Sequence, residues 1–214
     1  MRLQKISKEM QKKTMWASGE SSEIYLYPEY ADFDKREFTW RVSTATVTED
    51  TSNFTALSGV KRWIMPLDSQ MKLKHSNNLR SIFEITLKPF QSHGFRGDWD
   101  TICLGKATDF NLMFKEGVHG LIKHSKLMRY EPKKLSQIFN EAFDSRLSRQ
   151  HSRVTIGIYS YDGTCILDNE SINSSEMMLI HMNTKEIEDA MDLVLINEDS
   201  DSVNIILTVV SYNN

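Results

Sequence analysis

HGFRGDWDTICLGKATDFNLM, residues 93–113, is the most informative segment of this 214-residue chain. It holds two acidic motifs, FRGD at 95–98 and DFNLM at 109–113, and a Trp between short apolar runs. Short apolar runs bounded by Gly, Asp and Asn are typical of β-strands that are joined by turns. This segment therefore predicts a β-rich protein.

Strand periodicity extends from this segment in both directions. Upstream, Trp40 and Val42 alternate with Arg41 and Ser43, which is the period of two that a half-buried strand shows. Similar runs occur at residues 62–67, 81–87, 154–159, 165–167, 177–182, 193–196 and 203–210. Many short strands separated by turns favour an all-β sandwich or barrel.

One segment has the period of a helix instead. Pro132 is well placed near a helix N-terminus. After it, apolar residues follow helical spacing: Leu135, Ile138, Phe139, Ala142, Phe143 and Leu147. The opposite face is basic and carries Lys133, Lys134, Arg146 and Arg149. We therefore predict one helical insertion near residues 131–150, whose apolar face covers a barrel; docking of its basic face on an anionic partner is the alternative.

The distribution of charge divides the chain into three parts. Residues 121–153 hold eight Lys and Arg against three Asp and Glu, whereas residues 154–214 hold one against eleven. All four Trp lie in the first hundred residues. We therefore predict an N-terminal barrel at 1–120, a basic helical connector at 121–153 and a C-terminal half at 154–214, together forming one compact unit.

Composition excludes several classes of protein. A net charge of −3 gives no global field that would hold nucleic acid or an anionic membrane. The N-terminal residues lack the apolar core of a secretory signal, and no later stretch has the roughly 18 apolar residues of a membrane span. Cys103 and Cys165 have no CxxC context and are expected to be buried, reduced thiols. These features predict a cytoplasmic protein without nucleic-acid or membrane partners.

A set of motifs in the first 120 residues carries a family resemblance. They are WASGESSEI at 16–24, WRVSTATV at 40–47, FT at 54–55, GVKR at 59–62, and the FRGD and DFNLM motifs. Together they resemble the HutD/Ves family of cupin-like bacterial proteins, although Met15 replaces the Pro before the first motif, which also lacks one glycine. The resemblance implies an RmlC-like bicupin of two packed jelly-roll barrels. It also implies a supporting role in histidine utilisation or stress responses.

Polar residues within these motifs predict a binding pocket. Arg41 and Arg62 offer planar, charged forks that match a carboxylate, while Ser43 and Asn111 add hydrogen bonds. The candidate ligand-binding residues are Trp16, Arg41, Ser43, Arg62, Phe95, Asp98, Asp109 and Asn111. Structural roles are the alternative: Arg41 pairs with Asp98 or Asp109, the Asx side chains cap turns, and Trp16 and Phe95 belong to the core.

Metal and catalytic constellations are weak in this sequence. Metal-dependent cupins place two His one residue apart, and the six His here are scattered without any His-x-His. A nucleophile elbow, a phosphate-binding glycine loop and a dinucleotide fingerprint are absent as well. We therefore expect no metal, no cofactor and no assigned catalytic residue. His93 with Asp98 is the one pair in a motif region that suits proton transfer.

The expected function is therefore non-enzymatic binding of a small carboxylate metabolite in a polar pocket. The alternative is a metal-independent cupin enzyme, of isomerase or hydrolase type, that uses His93 or a pocket carboxylate. A third class of function is protein interaction, either in a homodimer or with a partner that binds the basic helix.

Overall fold

A computed structural model describes residues 1–77, 80–139 and 151–213, except for the side chains of residues 81 and 82. The strands within these ranges are β1 (Arg2–Ile6), β2 (Lys12–Trp16), β3 (Gly19–Tyr27), β4 (Trp40–Val47), β5 (Thr51–Phe54), β6 (Val60–Pro66), β7 (Met71–Asn77), β8 (Arg80–Leu87), β9 (His93–Arg96), β10 (Asp100–Leu104), β11 (Ala107–Lys115), β12 (His119–Met128), β13 (Lys133–Lys134), β14 (Arg153–Ser160), β15 (Cys165–Leu167), β16 (Glu170–Ile172), β17 (Met177–Asn183), β18 (Val194–Ile196) and β19 (Ser202–Tyr212). The helices are α1 (Leu135–Phe139), α2 (Ile187–Met191) and the 3-10 helices Lys8–Met10 and Thr184–Glu186. The predicted all-β class is confirmed.

The chain forms two compact units, one of residues Gln11–Gly117 and one of Met1–Met10 with Val118–Asn214. The first unit contains a six-stranded sheet of order β2-β3-β4-β11-β6-β9 and a four-stranded sheet of order β5-β10-β7-β8. The second contains a five-stranded sheet, β1-β17-β14-β19-β12, and a four-stranded sheet, β13-β18-β15-β16. Among the described residues, the strands within these sheets pair in antiparallel fashion. Each unit is thus a pair of antiparallel sheets.

The observed division differs from the predicted one in two places. The segment predicted as a helical connector, 121–153, contains most of β12, which pairs along its whole length with β19. Residues 1–10, predicted in the N-terminal barrel, instead contribute β1, which pairs with β17 at the other end of the sequence. Local periodicity cannot reveal either pairing, because each depends on a partner strand that is remote in sequence.

The predicted helical insertion is described only at its beginning. Lys133 and Lys134 form β13, which pairs with β18, and α1 then covers Leu135–Phe139. Leu135, Ile138 and Phe139 are buried in the apolar core of their unit, as expected for the apolar face. The remainder of the predicted helix, residues 140–150, lies outside the described residues.

The two units differ in what fills them. The unit with residues 118–214 has a continuous apolar core, to which β12, β14, β15, β17, β18, β19 and both α-helices contribute. In the unit Gln11–Gly117 the buried apolar residues include two smaller clusters, one around Leu73 and one around Phe38. Its buried polar residues include Arg41, Ser43, Arg62, Asp109 and Asn111.

Two sequence expectations concern buried thiols and membrane spans. Cys103 and Cys165 are both buried, and neither forms a disulfide bond. Burial raises the pKa of each thiol to about 11, so both stay protonated at neutral pH. Among the described residues, no helix has the length and apolar character that crossing a membrane requires.

Candidate functional site

A cavity of about 570 Å³ lies within the unit Gln11–Gly117. One wall is the face of the six-stranded sheet formed by β2, β3, β4, β11 and β6. Residues 53–57, at and beyond the end of β5, and the segment 30–37, which precedes β4, supply the rest of the lining. The cavity is therefore built from sheet positions that the strand register fixes.

Strand register brings the polar residues of this wall together. Asn111 on β11 pairs with Ser43 on β4, and Ser43 pairs in turn with Glu23 on β3. Directly paired residues point to the same face of a sheet, so these three side chains face the cavity. Because side chains alternate along a strand, Trp40 and Val42 face away from it, and both are fully buried. The alternation predicted for residues 40–47 is therefore confirmed.

Arg41 is engaged by neighbouring protein groups. Its Nε donates to Glu23 Oε2 at 2.7 Å, and its Nη1 donates to Ser43 Oγ at 2.9 Å. Nη2 lies 3.5 Å from Ser21 Oγ, and the guanidinium carbon lies 4.3 Å from the centre of the Phe33 ring. Glu23 therefore neutralises the charge of Arg41 and holds its orientation.

Arg62 is buried without an equivalent counter-ion. It is only 6 % exposed, and its guanidinium carbon lies 4.9 Å from the Phe54 ring and 5.2 Å from the Phe95 ring. Nη2 donates to Asn111 Oδ1 at 3.2 Å, whereas Nε has no hydrogen-bond partner among the described residues. Burial lowers the pKa of the guanidinium to about 10, against the opposing effect of Asp109. Arg62 thus stays positively charged at neutral pH and carries a buried donor, Nε, without a partner among the described residues.

Asp109 lies on the same polar chain. Its side chain is 1 % exposed, and Oδ1 accepts a hydrogen bond from Asn111 Nδ2, so Asn111 connects Asp109 to Arg62. Burial raises the pKa of the Asp109 carboxyl to about 7; Arg62 acts to lower it, and Asp68 acts to raise it. Both protonation states of Asp109 are therefore populated near neutral pH.

The structure brings most of the predicted site residues together. Those that line the cavity are Trp16, Arg41, Ser43, Arg62, Asp109 and Asn111. Phe95 packs against Arg62 without lining the wall. Asp98 does not reach the cavity, because it pairs with the exposed Arg96 through contacts of 3.0 and 2.6 Å. Arg41 was predicted to pair with Asp98 or Asp109 if its role is structural. In the structure it pairs with Glu23 instead.

The predicted His93–Asp98 pair does not form. His93 Nε2 lies 3.1 Å from His75 Nε2, and His75 Nδ1 lies 2.9 Å from Thr101 Oγ1. Burial and the neighbouring His93 lower the pKa of His75 to about 4. This histidine pair is not part of the cavity lining, so His93 is not in position to act on a ligand there.

Sequence reasoning missed three residues that shape the site, namely Glu23, Phe33 and Phe54. Glu23 stands in the WASGESSEI motif, and a signal was present, because Ser21 and Glu23 follow the same period of two as Arg41 and Ser43. Phe54 stands in a motif that carried the family resemblance, without an assigned role. Phe33 lies in the segment between β3 and β4, where no periodicity gives its direction.

The paired antiparallel sheets in each unit have the architecture of a cupin-like protein of the bicupin class. The HutD family model matches residues 7–176, and the chain belongs to the HutD family. A comparison with curated proteins gave no match.

Solved structures agree on the fold. A conserved Pseudomonas aeruginosa protein of unknown function has 16% identity and a TM-score of 0.69, with 99% of this chain and 100% of that chain covered. HutD from Pseudomonas fluorescens, in a formate condition, has 16% identity and a TM-score of 0.64 over 97% and 98% of the two chains. Bacillus subtilis oxalate decarboxylase, which has Mn(II) centres, has 7% identity and a TM-score of 0.60 over 98% and 77%. At these identities the likeness concerns the fold alone.

The residues of the cavity do not fit a metal centre. Its buried charged groups are two guanidiniums, Arg41 and Arg62, with the carboxyl of Asp109, and the partly exposed Glu23 also lines it. Guanidinium groups carry no lone pair for coordination and repel a cation. Within the part of the chain that the structure describes, no three His, Cys, Asp or Glu side chains are grouped to hold a metal ion.

Proposed function

We propose that this protein binds a small carboxylate metabolite in the cavity of Gln11–Gly117 without transforming it. The observation that carries the proposal is Arg62, a buried, protonated guanidinium whose Nε has no partner among the described residues. A buried charge is costly unless it is paired and hydrogen-bonded. A ligand carboxylate in the cavity that Arg62 lines supplies the opposite charge.

The surroundings of Arg62 prepare it for such a ligand. Asn111 holds Nη2, and the rings of Phe54 and Phe95 lie beside the guanidinium, so its plane is restricted before a ligand arrives. A planar guanidinium group can donate two parallel hydrogen bonds to the two oxygens of a carboxylate. Ser43, next to Asn111 in the register, adds a hydroxyl to the same wall. Preorganisation of this kind lowers the entropic cost of binding.

Calorimetric titration tests the role of Arg62. Pentanoate should bind the parent protein, and its neutral amide, pentanamide, should not. Arg62→Gln should weaken pentanoate binding by about 10- to 100-fold, because charge-assisted hydrogen bonds contribute about 1.5 to 3 kcal/mol. Arg96→Gln is the matched control, because Arg96 is exposed and paired with Asp98 outside the cavity. Equal affinities of the parent and Arg62→Gln for pentanoate would contradict the proposal.

Asp109 favours a second candidate, a metal-independent cupin enzyme of the isomerase or hydrolase type. Its carboxyl, with a pKa of about 7, lines the same cavity as Arg62 and so suits a proton-transfer group. The test is exchange of the C3 protons of 2-oxopentanoate with deuterated water, followed by NMR. Accelerated exchange that Asp109→Asn abolishes would establish catalysis. Exchange no faster than in buffer alone would contradict catalysis and leave ligand binding as the proposed function.

The biological setting is part of the proposal. We place the protein in the bacterial cytoplasm, with a supporting or regulatory role in histidine utilisation or stress response, because breakdown intermediates of histidine carry carboxylates. Titration with those intermediates and with unrelated carboxylates of equal size tests the assignment. We also propose a homodimer, or a protein partner bound through the basic helix predicted near residues 131–150. Light scattering of the parent and of Lys133→Glu/Lys134→Glu tests both.

A further inference from the structure

We infer that the ligand is bipolar, with a carboxylate held by Arg62 and a protonated amine held by Glu23, so that the site selects amino-carboxylates over dicarboxylates. The inference rests on the proposed binding of a carboxylate at Arg62. It names the chemistry of the other end of the ligand.

The first argument is the separation of the two groups. Glu23 lies on β3 and Arg62 on β6, with β4 and β11 between them in the sheet. Neighbouring strands are about 4.8 Å apart, so the two Cα positions are separated by on the order of 14 Å before the sheet curves. A cavity of about 570 Å³ is also of the size that holds a whole metabolite. A ligand that fills it reaches from Arg62 to Glu23.

The second argument is the open capacity of Glu23. One carboxylate oxygen, Oε2, accepts from Arg41 Nε, and Oε1 has no hydrogen bond to another described residue. The Glu23 side chain is 18% exposed and lines the cavity, so Oε1 is accessible to a ligand. An ionised carboxylate accepts several hydrogen bonds, and an ammonium group carries three donors. Glu23 therefore binds a ligand amine while it keeps Arg41 in place.

The third argument is that Arg41 is not open to a second carboxylate. Its Nε and Nη1 already donate to Glu23 and Ser43. A ligand carboxylate at Arg41 would approach the Glu23 carboxylate, and like charges at such a distance repel. The Glu23–Arg41 pair thus discriminates against a dicarboxylate by charge.

Further charged residues line the cavity. Asp32, Asp34 and Glu37 lie there with two cations, Lys12 and Lys35. Hydrogen bonds from the backbone N–H groups of Asp34 and Lys35 lower the pKa of the Asp32 carboxyl, with smaller effects of the Lys35 and Lys12 charges, and Lys35 Nζ lies 3.8 Å from Asp32 Oδ2. Lys35 therefore pairs with Asp32, whereas Lys12 is paired with Glu23 in the strand register and its side chain points to the same face of the sheet. The indole face of Trp16, also in the lining, is a further acceptor for an ammonium group.

Four probes with the same five-carbon chain test the inference by calorimetry at low ionic strength. They are 5-aminopentanoate, pentanoate, glutarate and pentylamine. We expect 5-aminopentanoate to bind about tenfold or more tighter than pentanoate, since a partly buried charge pair contributes more than about 1.4 kcal/mol. Glutarate should bind no better than pentanoate. Glutarate binding as tightly as 5-aminopentanoate, or more tightly, would overturn the inference.

The variant Glu23→Gln should change the order of the probes. It removes the anion and releases Arg41, so 5-aminopentanoate should lose its advantage and glutarate should gain affinity relative to pentanoate. Glu84→Gln is the matched control, because Glu84 is also ion-paired, with Lys72 and Lys74, and lies outside the cavity lining. An unchanged preference for 5-aminopentanoate in folded Glu23→Gln would overturn the inference; should that variant not fold, the order on the parent protein decides.

The results also separate the two proposals. Pentanoate binding that depends on Arg62, without any preference for 5-aminopentanoate, contradicts only the bipolar ligand. Absence of pentanoate binding in the parent protein contradicts the proposed function, and the inference with it.

Discussion

Arg41 and Arg62 are the same residue type on the same wall, yet their partners give them different roles. Arg41 is compensated by Glu23, whereas Arg62 is joined through Asn111 to Asp109, a carboxyl whose pKa burial raises to about 7. The period of two in residues 40–47 was sufficient to predict that Arg41 faces inward. Its partner could not be predicted, because it depends on the irregularity between Glu23 and Tyr25 that sets the register of β3 against β4.

This difference predicts opposite effects of two equivalent substitutions on stability. Arg41→Met leaves Glu23 without its counter-ion and should lower the free energy of unfolding by about 3 kcal/mol. Arg62→Met removes an incompletely paired buried charge and should leave the stability unchanged or raise it. Urea unfolding of both variants beside the parent measures the effect. Equal destabilisation by the two substitutions would show that Arg62 is as structural as Arg41.

Asp109 predicts that carboxylate binding depends on pH. Its charged form disfavours a carboxylate at Arg62, so the ligand binds preferentially when Asp109 is protonated. The affinity for pentanoate should therefore fall as the pH rises through about 7, approaching tenfold per pH unit. Titrations between pH 6 and 9, where pentanoate stays ionised, measure the slope. Asp109→Asn should bind pentanoate with an affinity that is flat over this range; a flat profile in the parent would contradict the coupling.

The same carboxyl makes a prediction for stability. Its pKa is raised from 3.8 to about 7 on folding, so its stabilising contribution is fully present below pH 3.8 and is lost as the pH rises through 7. Asparagine has a side chain of the same shape as aspartate but no charge. Asp109→Asn should therefore be more stable than the parent at pH 8. Thermal melts at pH 5 and pH 8 test the sign: the advantage of the variant over the parent should be larger at pH 8.

At the scale of elements, the FRGD motif acts through its backbone. Gly97 N donates to Val60 O at 2.7 Å, and Leu57 N donates to Gly97 O at 2.6 Å. A Cβ at position 97 would lie 2.7 Å from Leu57 O and 2.9 Å from Val60 O, so only glycine fits this approach. The turn thereby holds the segment that joins Phe54 to β6. This explains why the motif indicated the family while its Asp98 stays outside the cavity.

The helical segment makes a prediction at the same scale. Phe139 is fully buried in the core of its unit, whereas Lys134 is exposed and pairs with Asp192 at 2.8 Å. Phe139→Asp should lower the free energy of unfolding by about 3 to 5 kcal/mol, and Lys134→Glu by only a few tenths. Chemical denaturation compares the two. If Phe139→Asp unfolds at the same denaturant concentration as the parent, the segment is a docking element and not part of the core.

For the whole molecule, the two units share an architecture and differ in their interiors. Val118–Asn214 with Met1–Met10 encloses a continuous apolar core, whereas Gln11–Gly117 holds the cavity with its buried charges. The sequence motifs that predicted a polar pocket all lie in the first 120 residues, and the cavity lies in the unit Gln11–Gly117. The N-terminal residues were the part that local patterns could not place, since β1 pairs with a strand from the far end of the chain.

The position of β1 leads to a prediction about the unit that it completes. Ile6 is buried and pairs with Met177, at the edge of the five-stranded sheet. Ile6→Asp places a charge in an apolar site and should lower the stability by about 2 to 4 kcal/mol. Met10→Asp is the control, because Met10 lies in the 3-10 helix Lys8–Met10 that comes after β1 and is exposed. Hydrogen exchange followed by mass spectrometry should show faster exchange in β17 for Ile6→Asp alone. Exchange in β17 that is equal in the two variants would mean that β1 contributes no stability to this sheet, and that residues 1–10 can be removed without loss of the fold.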